Sequence, residues 1–210
     1  MPEMPPAART LCTSAPYRLL ARRLILPWAL QGLRPEGEVL EIGAGSGAMS
    51  AELLKRFPGI RVTATDYDPQ MVDAARHGLA RWPDRAVASR ADATALPFEP
   101  GQFSAVLSCA MLHHVVQWEQ ALSEAVRVLR PGGTLVGFDI LRTPAFTLIH
   151  GRGARDHHHH SHQEGGEPGA VRMLDVGELE RCLADLPVTD VRTRRARGGY
   201  AVRFAATKLK

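Results

Sequence analysis

Cysteine is scarce in this chain of 210 residues, and no apolar run is long. The cysteines at 12, 109 and 182 lack metal-ligand spacing and are odd in number, which argues against a disulfide framework and favours a reducing compartment. No apolar run reaches the roughly 18 residues that a membrane-spanning helix needs. The N-terminus has no basic flank and apolar core of a secretory signal, so we expect a cytoplasmic protein without stable membrane insertion.

A strong charge of either sign is also missing, since 26 basic and 22 acidic side chains leave a formal net charge of +4. The surplus lies mainly in residues 192–210, where a solvated strand face explains it more simply than nucleic-acid binding does. The length suits one well-buried α/β domain. We expect a monomer or homodimer that has no nucleic-acid partner.

The sequence is organised around a stretch in which a short apolar run, residues 39–42, breaks into alternating glycines at Gly43, Gly45 and Gly47. A helical pattern follows at once in residues 48–56, so the order predicts a buried strand, a tight loop and a helix N-terminus. Glycine permits positive φ and a close approach of the backbone to a ligand, while the helix N-terminus presents free N–H groups. The loop is therefore predicted to cradle a ligand.

Two kinds of ligand fit this loop. Residues 43–48 read G-x-G-x-x-A, the fingerprint of dinucleotide-binding proteins, and Asp66 lies near the distance expected for a ribose-binding acid. Residues 41–47 read E-x-G-x-G-x-G, which closely resembles the first motif of the class I methyltransferases that use S-adenosylmethionine (SAM). The loop alone leaves both interpretations open.

Strands and helices alternate along the rest of the chain. Strands are predicted over residues 60–65, 86–90, 103–109 and 134–139, and helices over residues 69–79, 118–129 and 175–184. The last two predicted strands, 188–194 and 200–206, are divided by Gly198-Gly199, which indicates an antiparallel hairpin. Repeated β-α-β units of this size predict a parallel sheet with right-handed crossovers.

Three further stretches resemble, in order, motifs of the SAM-dependent methyltransferases that act on small molecules. They read Thr65-Asp66-Tyr67-Asp68-x-x-Met71, Ala91-Asp92-Ala93, and Leu112-His113-His114-Val115 followed by residues 127–133. The resemblance implies a Rossmann-like α/β fold, with a seven-stranded, mostly parallel sheet of order 3-2-1-4-5-7-6, a C-terminal antiparallel hairpin and helices on both faces. It divides the chain into a tail and capping helix, residues 1–34, and a methyltransferase domain, residues 35–210.

The resemblance also implies that SAM is the cofactor and that its methyl group passes to a small-molecule acceptor, apolar or aromatic in character. Asp66 would accept hydrogen bonds from the ribose hydroxyls, Asp92 would accept from the adenine amine, and the Ala93 N–H would donate to a ring nitrogen. The expected cofactor-binding set is Glu41, Gly43, Ala44, Gly45, Gly47, Asp66, Tyr67, Met71, Asp92, Ala93 and Cys109.

Four members of this set have more particular expected roles. Tyr67 and Met71 would flank the adenine, although Met71 is equally a candidate core residue. Glu41 would orient the loop or the ammonium group of the methionine tail. Cys109 would offer its backbone to that tail, with a thiol that acts as a small buried apolar group.

Acidic residues are absent from residues 103–118, where a base for the acceptor is expected. His113 and His114 are the titratable groups there, so one of them is a candidate base or substrate contact, with a packed or capping imidazole as the alternative. The missing acid keeps a second hypothesis open, a non-catalytic SAM-binding or regulatory module. An NAD-dependent oxidoreductase is a weaker third.

Two segments outside these motifs complete the predictions. Residues 151–170 include the run Asp156–His162, rich in histidine, and are predicted to be a flexible insertion without a structural metal site. Residues 17–33 carry a helical apolar pattern that Pro27 should interrupt, with arginines on the polar side. We expect this helix to pack on its own domain, and contact with a membrane surface is the alternative.

Overall fold

One seven-stranded sheet forms the centre of the computed structural model, which describes residues 14–141 and 174–210. The strand order is β3-β2-β1-β4-β5-β7-β6, with β1 to β5 parallel and β7 antiparallel to both of its neighbours. The strands are β1 Gly37–Ile42, β2 Ile60–Asp66, β3 Ala86–Arg90, β4 Phe103–Cys109, β5 Leu129–Ile140, β6 Val188–Arg195 and β7 Ala201–Lys208. The predicted strand order and the antiparallel C-terminal pair are confirmed.

Helices connect the strands on both sides of this sheet. The helical elements are α1 Ala15–Leu20, a π-helical turn Ala21–Ile25, α2 Leu26–Leu30, α3 Ala48–Arg56, α4 Pro69–Leu79, a 3₁₀ turn Leu112–His114, α5 Trp118–Val128 and α6 Val176–Asp185. Asp68 caps α4 by accepting from the Gln70 N–H (2.9 Å), and Asp175 caps α6 in the same way. In the described ranges, none of the helices has the length and hydropathy needed to cross a membrane.

The sheet separates two apolar cores because successive strand residues point to opposite faces. On β1, Leu40 packs in the core that contains α5 and α6, while Val39 packs in the core that contains α2 and α3. On β4, Val106 and Leu107 divide in the same way. Both faces of the central strands are therefore buried, as a parallel sheet covered by helices requires.

Two details differ from the predicted elements. Residues 130–133, predicted as a turn, lie inside β5, because Phe103 pairs with Leu129 and Ala105 pairs with Thr134, so the extra residues form an irregularity in the strand. In the N-terminal helix, the interruption precedes Pro27, which occupies the first turn of α2 after the π-helical turn. The flexible insertion predicted for residues 151–170 lies outside the described residues.

Candidate functional site

The glycine loop between β1 and α3 has the backbone conformation that its sequence predicted. Gly43, Gly45 and Gly47 have φ values of 67°, 53° and 70°, in the left-handed region that residues with a side chain adopt only at a cost. The loop lies at the carboxyl end of β1, next to the carboxyl ends of β2 and β4. Open α/β sheets bind their ligands at this edge.

Each glycine of the loop meets different surroundings. A Cβ on Gly43 would lie 2.1 Å from Met111 Cγ, and a Cβ on Gly47 would lie 3.2 Å from the Ala75 backbone on α4. A Cβ on Gly45 would have nothing within 4 Å. Gly43 and Gly47 therefore permit close packing inside the protein, whereas Gly45 leaves room for a ligand.

Gly45 opens onto a pocket at the end of the sheet. The pocket is lined by Ala21, Glu41, Gly43, Ala44, Gly45, Ser46, Ala48, Met49, Cys109 and Ala110. Five of the eleven predicted cofactor-binding residues thus line one space, whereas the other six are not part of this lining: Gly47, Asp66, Tyr67, Met71, Asp92 and Ala93. Ala21 adds the N-terminal helical segment to the wall.

Glu41 is the acidic group of this pocket, and only 1% of its surface is exposed. The Ser50 hydroxyl on α3 donates to its Oε2. Burial raises the pKa of Glu41 to about 7, the Ser50 hydrogen bonds act in the opposite direction, and the nearby Asp66 charge adds to the increase. Glu41 can therefore change its charge near neutral pH when a cation enters the pocket.

Asp66, at the end of β2, is joined directly to the glycine loop. Its Oδ2 accepts from the Gly45 N–H (2.8 Å) and its Oδ1 accepts from the Asp68 N–H (3.0 Å). Burial raises the pKa of Asp66 against the effect of these two hydrogen bonds. The carboxyl group is thus held by the backbone of the glycine loop, and its role as a ribose-binding acid stays a prediction.

Asp92 follows β3 in a tight turn, in which its Oδ1 accepts from the Thr94 N–H (2.9 Å) and the Thr94 hydroxyl (2.7 Å). Partial burial acts to raise the pKa of Asp92, but these hydrogen bonds outweigh it and the pKa is lowered. The Ala91 N–H donates to Asp66 O (3.1 Å), which ties this turn to the end of β2. Asp92 and Ala93 therefore lie at the same carboxyl edge of the sheet, farther from the glycine loop than Asp66.

The two predicted adenine neighbours have different environments. Arg90 lies over the Tyr67 ring, 4.9 Å from its centre, and donates to the Tyr67 carbonyl. Met71 is buried, with 3% of its surface exposed, on the first turns of α4.

Cys109 is also buried, and burial raises the pKa of its thiol well above the ordinary value. Such a thiol is a poor nucleophile, which agrees with its predicted role as a small apolar group.

The candidate bases His113 and His114 are in the 3₁₀ turn after β4, outside the pocket lining. His113 is buried, and its Nδ1 lies 2.5 Å from Asp139 Oδ1, so the ring N–H donates to the carboxylate. The His114 ring lies against His113, with ring centres 4.0 Å apart and the ring planes inclined at 42°. Burial, followed by the neighbouring His113, lowers the pKa of His114 to about 4.

Asp139 is the member of this arrangement that sequence reasoning missed. Its Oδ2 accepts from the Leu112 N–H (2.7 Å), and its Oδ1 accepts from the Ile140 N–H (2.6 Å) as well as from His113. The residue therefore fixes the 3₁₀ turn to the end of β5. The available signal was an acid that directly follows the apolar run 135–138, the pattern that identified Asp66 after β2.

The described residues contain no group of three or more His, Cys, Asp or Glu side chains that could hold a metal ion. The histidine-rich run at 156–162 lies outside these residues, so its predicted lack of a structural metal site stays a prediction.

Comparisons with known proteins find methyltransferases. Residues 40–137 match the family model described as a methyltransferase domain. The chain is 34% identical over 169 residues to malonyl-[acyl-carrier protein] O-methyltransferase of Geobacter sulfurreducens, covering 80% of this chain and 60% of that protein. It is 35% identical over 114 residues to demethylmenaquinone methyltransferase of Thermus thermophilus, covering 53% of this chain and 52% of that protein.

The fold comparison gives the same result. A crystal structure of a SAM-dependent methyltransferase from Aquifex aeolicus matches with a TM-score of 0.72 at 16% identity, covering 99% of this chain and 100% of that one. The chain spans 60% and 52% of the length of the two relatives named above. The antiparallel β7 between β5 and β6 also departs from the strand order of dinucleotide-binding proteins. The chain is therefore similar in sequence to a methyltransferase domain over residues 40–137, and its fold is that of the class I SAM-dependent methyltransferases.

Proposed function

We propose that this chain transfers a methyl group from SAM to a small-molecule acceptor. The observation that carries the proposal is the position of Gly45, which lines a pocket containing Glu41, has open space where a Cβ would lie, and donates its N–H to the Asp66 carboxyl. These groups are the ones that a methionine tail and the adjoining ribose would need at one edge of the sheet.

The chemistry of the pocket fits SAM. The methionine tail carries an ammonium group and a carboxylate, and the sulfur carries a positive charge. Glu41 offers an anionic partner for a cation, and the N-terminus of α3 presents backbone N–H groups that favour an anion. When bound, SAM supplies an activated methyl group, so the protein has to align the acceptor and exclude competing positions.

For an acceptor that must lose a proton, we propose the His113 and His114 turn as the source of the base. Asp139 occupies Nδ1 of His113, which leaves Nε2 as the nitrogen available for base chemistry. The lowered pKa of His114 keeps this ring neutral at pH 7 but makes it a weaker base. If His114 acts, the rate profile will have its acidic limb near pH 4 rather than at the ordinary pKa of imidazole.

Calorimetric titration with SAM, S-adenosylhomocysteine and NAD tests the cofactor. We expect saturable binding of the first two and none of NAD. Release of S-adenosylhomocysteine with a panel of phenols, quinols and carboxylic acids then tests turnover, because the two relatives are named for different acceptors. Binding of SAM without turnover of any acceptor would favour the non-catalytic SAM-binding module, and binding of NAD alone would contradict the proposal.

Asp66→Ala and Asp92→Ala are each expected to weaken SAM binding by about ten- to a hundredfold, since a charged acceptor contributes roughly 1.5–3 kcal/mol. Asp73→Ala is the matched control, because Asp73 lies exposed on α4 and pairs with Arg76. Calorimetry of the three variants checks this result. Equal SAM affinities for the three variants would contradict the proposed contacts of Asp66 with the ribose and of Asp92 with the adenine.

Gly45→Val is expected to reduce SAM affinity by about a hundredfold, or roughly 2.7 kcal/mol, because the side chain would enter the space left for the ligand. Gly32→Val is the control, since Gly32 also has positive φ (86°) and has nothing within 4 Å, but lies outside the pocket lining. Both variants carry backbone strain, so thermal unfolding measures that effect separately. Normal SAM binding by Gly45→Val would show that the ligand does not occupy this side of the loop.

A further inference from the structure

The N-terminal helical segment, residues 15–30, attaches to the domain by one face. Ala21, Leu26, Ala29 and Leu30 on this face are buried in the core that contains α3. Arg56 of α3 donates to the carbonyl of Arg22 (2.9 Å), and Ala21 lines the pocket of the glycine loop. The segment is thus a fixed part of the pocket wall.

The opposite face of this segment is apolar and open. Leu19, Leu20 and Leu24 are 51%, 46% and 65% exposed, and Arg23 beside them is exposed as well. Arg23 and Leu24 lie one turn beyond Leu19 and Leu20, and all four are exposed, so these side chains form one outward stripe. In the described ranges the other large exposed apolar residues are spread over different elements: Val87, Val116, Val191, Tyr200 and Leu209.

The charge of this part of the chain has one sign. Residues 4–35 contain five arginines and neither Asp nor Glu. Arg23 and Arg34 are exposed, and Lys55 at the end of the adjoining α3 is exposed too. Arg56 of α3, which contacts the segment at Arg22, is paired with Glu52 at 2.7 Å. The outward stripe therefore combines bulky apolar side chains with an excess of positive charge.

We propose that the outward stripe, Leu19, Leu20, Arg23 and Leu24, docks on the surface of an anionic lipid bilayer. A bilayer offers acyl chains to the leucines and anionic headgroups to the arginines within the same shallow layer, about 5–10 Å deep. A symmetric contact with a second copy would instead bring two arginine-rich faces together. The attachment is peripheral and leaves the domain outside the bilayer.

Docking in this orientation gives the pocket a defined position. Ala21 faces the pocket from the same helical segment whose outer side meets the lipid. An apolar acceptor dissolved in the bilayer would then have a short path to the site, a consequence that rests on the proposed methyl transfer. The docking itself does not depend on SAM and is tested without it.

Co-sedimentation of the full chain with vesicles tests the docking. We expect binding to vesicles of phosphatidylcholine with phosphatidylglycerol, weak binding to phosphatidylcholine alone, and release at high salt. Leu20→Ser with Leu24→Ser should lower the partition coefficient at least tenfold. Val87→Ser with Leu209→Ser, which removes two exposed apolar side chains elsewhere, should leave it unchanged.

Three results would overturn the proposal. The first is no binding of the folded protein to anionic vesicles. The second is an equal loss of binding in the two double variants. The third is a dimer, measured by sedimentation equilibrium, that Leu20→Ser with Leu24→Ser dissociates while vesicle binding is absent. Circular dichroism of each variant confirms that the fold is retained, which is expected because all four side chains are exposed.

Discussion

Glu41→Gln is expected to stabilise the folded protein at pH 8 by about 3 kcal/mol more than at pH 4.5, relative to the unchanged chain. Burial raises the pKa of Glu41 from its ordinary value of 4.5 to about 7, and each pKa unit corresponds to about 1.4 kcal/mol. Between these two pH values the folded state keeps a proton that the unfolded state has lost. Stability from this group is therefore fully present below pH 4.5 and is lost as the pH rises through 7.

Chemical denaturation of the unchanged chain and the variant between pH 4.5 and 8.5 measures this difference. His114 has the opposite effect, since its lowered pKa makes stability fall as the pH decreases from 6.5 towards 4. The comparison of chain and variant cancels the His114 contribution. Glu38→Gln is the control, because Glu38 lies on the same strand with an exposed side chain that pairs with Arg61. Parallel stability curves for Glu41→Gln and the unchanged chain would contradict the prediction.

The same titration links cofactor binding to pH. A cation beside Glu41 favours its carboxylate, so SAM binding at pH 6 should release a proton that is not released at pH 8.5. Calorimetric titration in two buffers with different ionisation enthalpies counts that proton. We expect the release to disappear in Glu41→Gln, whereas a release that persists in the variant would assign the proton to another group.

Much of the framework was predictable because its signals are local. The helix Ala48–Arg56 and the strand Phe103–Cys109 have the predicted bounds, since both are continuous apolar patterns between clear breaks. Asp68 followed by Pro69 specified the start of α4, and Gly198-Gly199 specified the final turn. Such features depend on neighbours in the sequence, and the strand order followed from the family resemblance.

The missed features depend on partners that are distant in sequence. Nothing near residues 130–133 indicates that they lie within a strand, because this follows from the pairing of Leu129 and Thr134, on either side of them, with β4. The glycine motif likewise did not distinguish Gly45, which faces the pocket, from Gly47, which packs on α4. Asp139 has a local signal, the apolar run before it, but its hydrogen bond to His113 could not be predicted because that residue is 26 positions earlier.

Asp139→Ala is expected to reduce the free energy of unfolding by about 3–5 kcal/mol, the largest effect on stability among these variants. The carboxylate is fully buried and accepts from His113 Nδ1 and from the Leu112 and Ile140 N–H groups. Removing it leaves buried donors without a partner, and a cavity that the small side chain cannot fill. Denaturant unfolding of the variant measures the loss.

Asp139→Asn separates the charge of this residue from its shape. The amide oxygen can still accept from a backbone N–H, but the amide nitrogen would oppose His113 Nδ1 unless the ring changes its tautomer. We therefore expect a smaller loss of stability than for Asp139→Ala. If Asp139 only anchors the turn, methyl transfer and its pH profile should recover with stability in this variant. If it also orients His113 as a base, the maximal rate should stay low while SAM affinity is unchanged.

A double-mutant cycle with His113→Ala identifies the source of the effect. The contact predicts that Asp139→Ala and His113→Ala together cost clearly less than the sum of the single variants. His77→Ala is the control, because His77 is exposed on α4 and its ring contacts a backbone carbonyl instead of a carboxylate. If the losses of stability in the two single variants simply add, the hydrogen bonds from the Leu112 and Ile140 N–H groups explain the stabilising effect of Asp139. The His113–Asp139 pair would then contribute little to holding the turn at the end of β5.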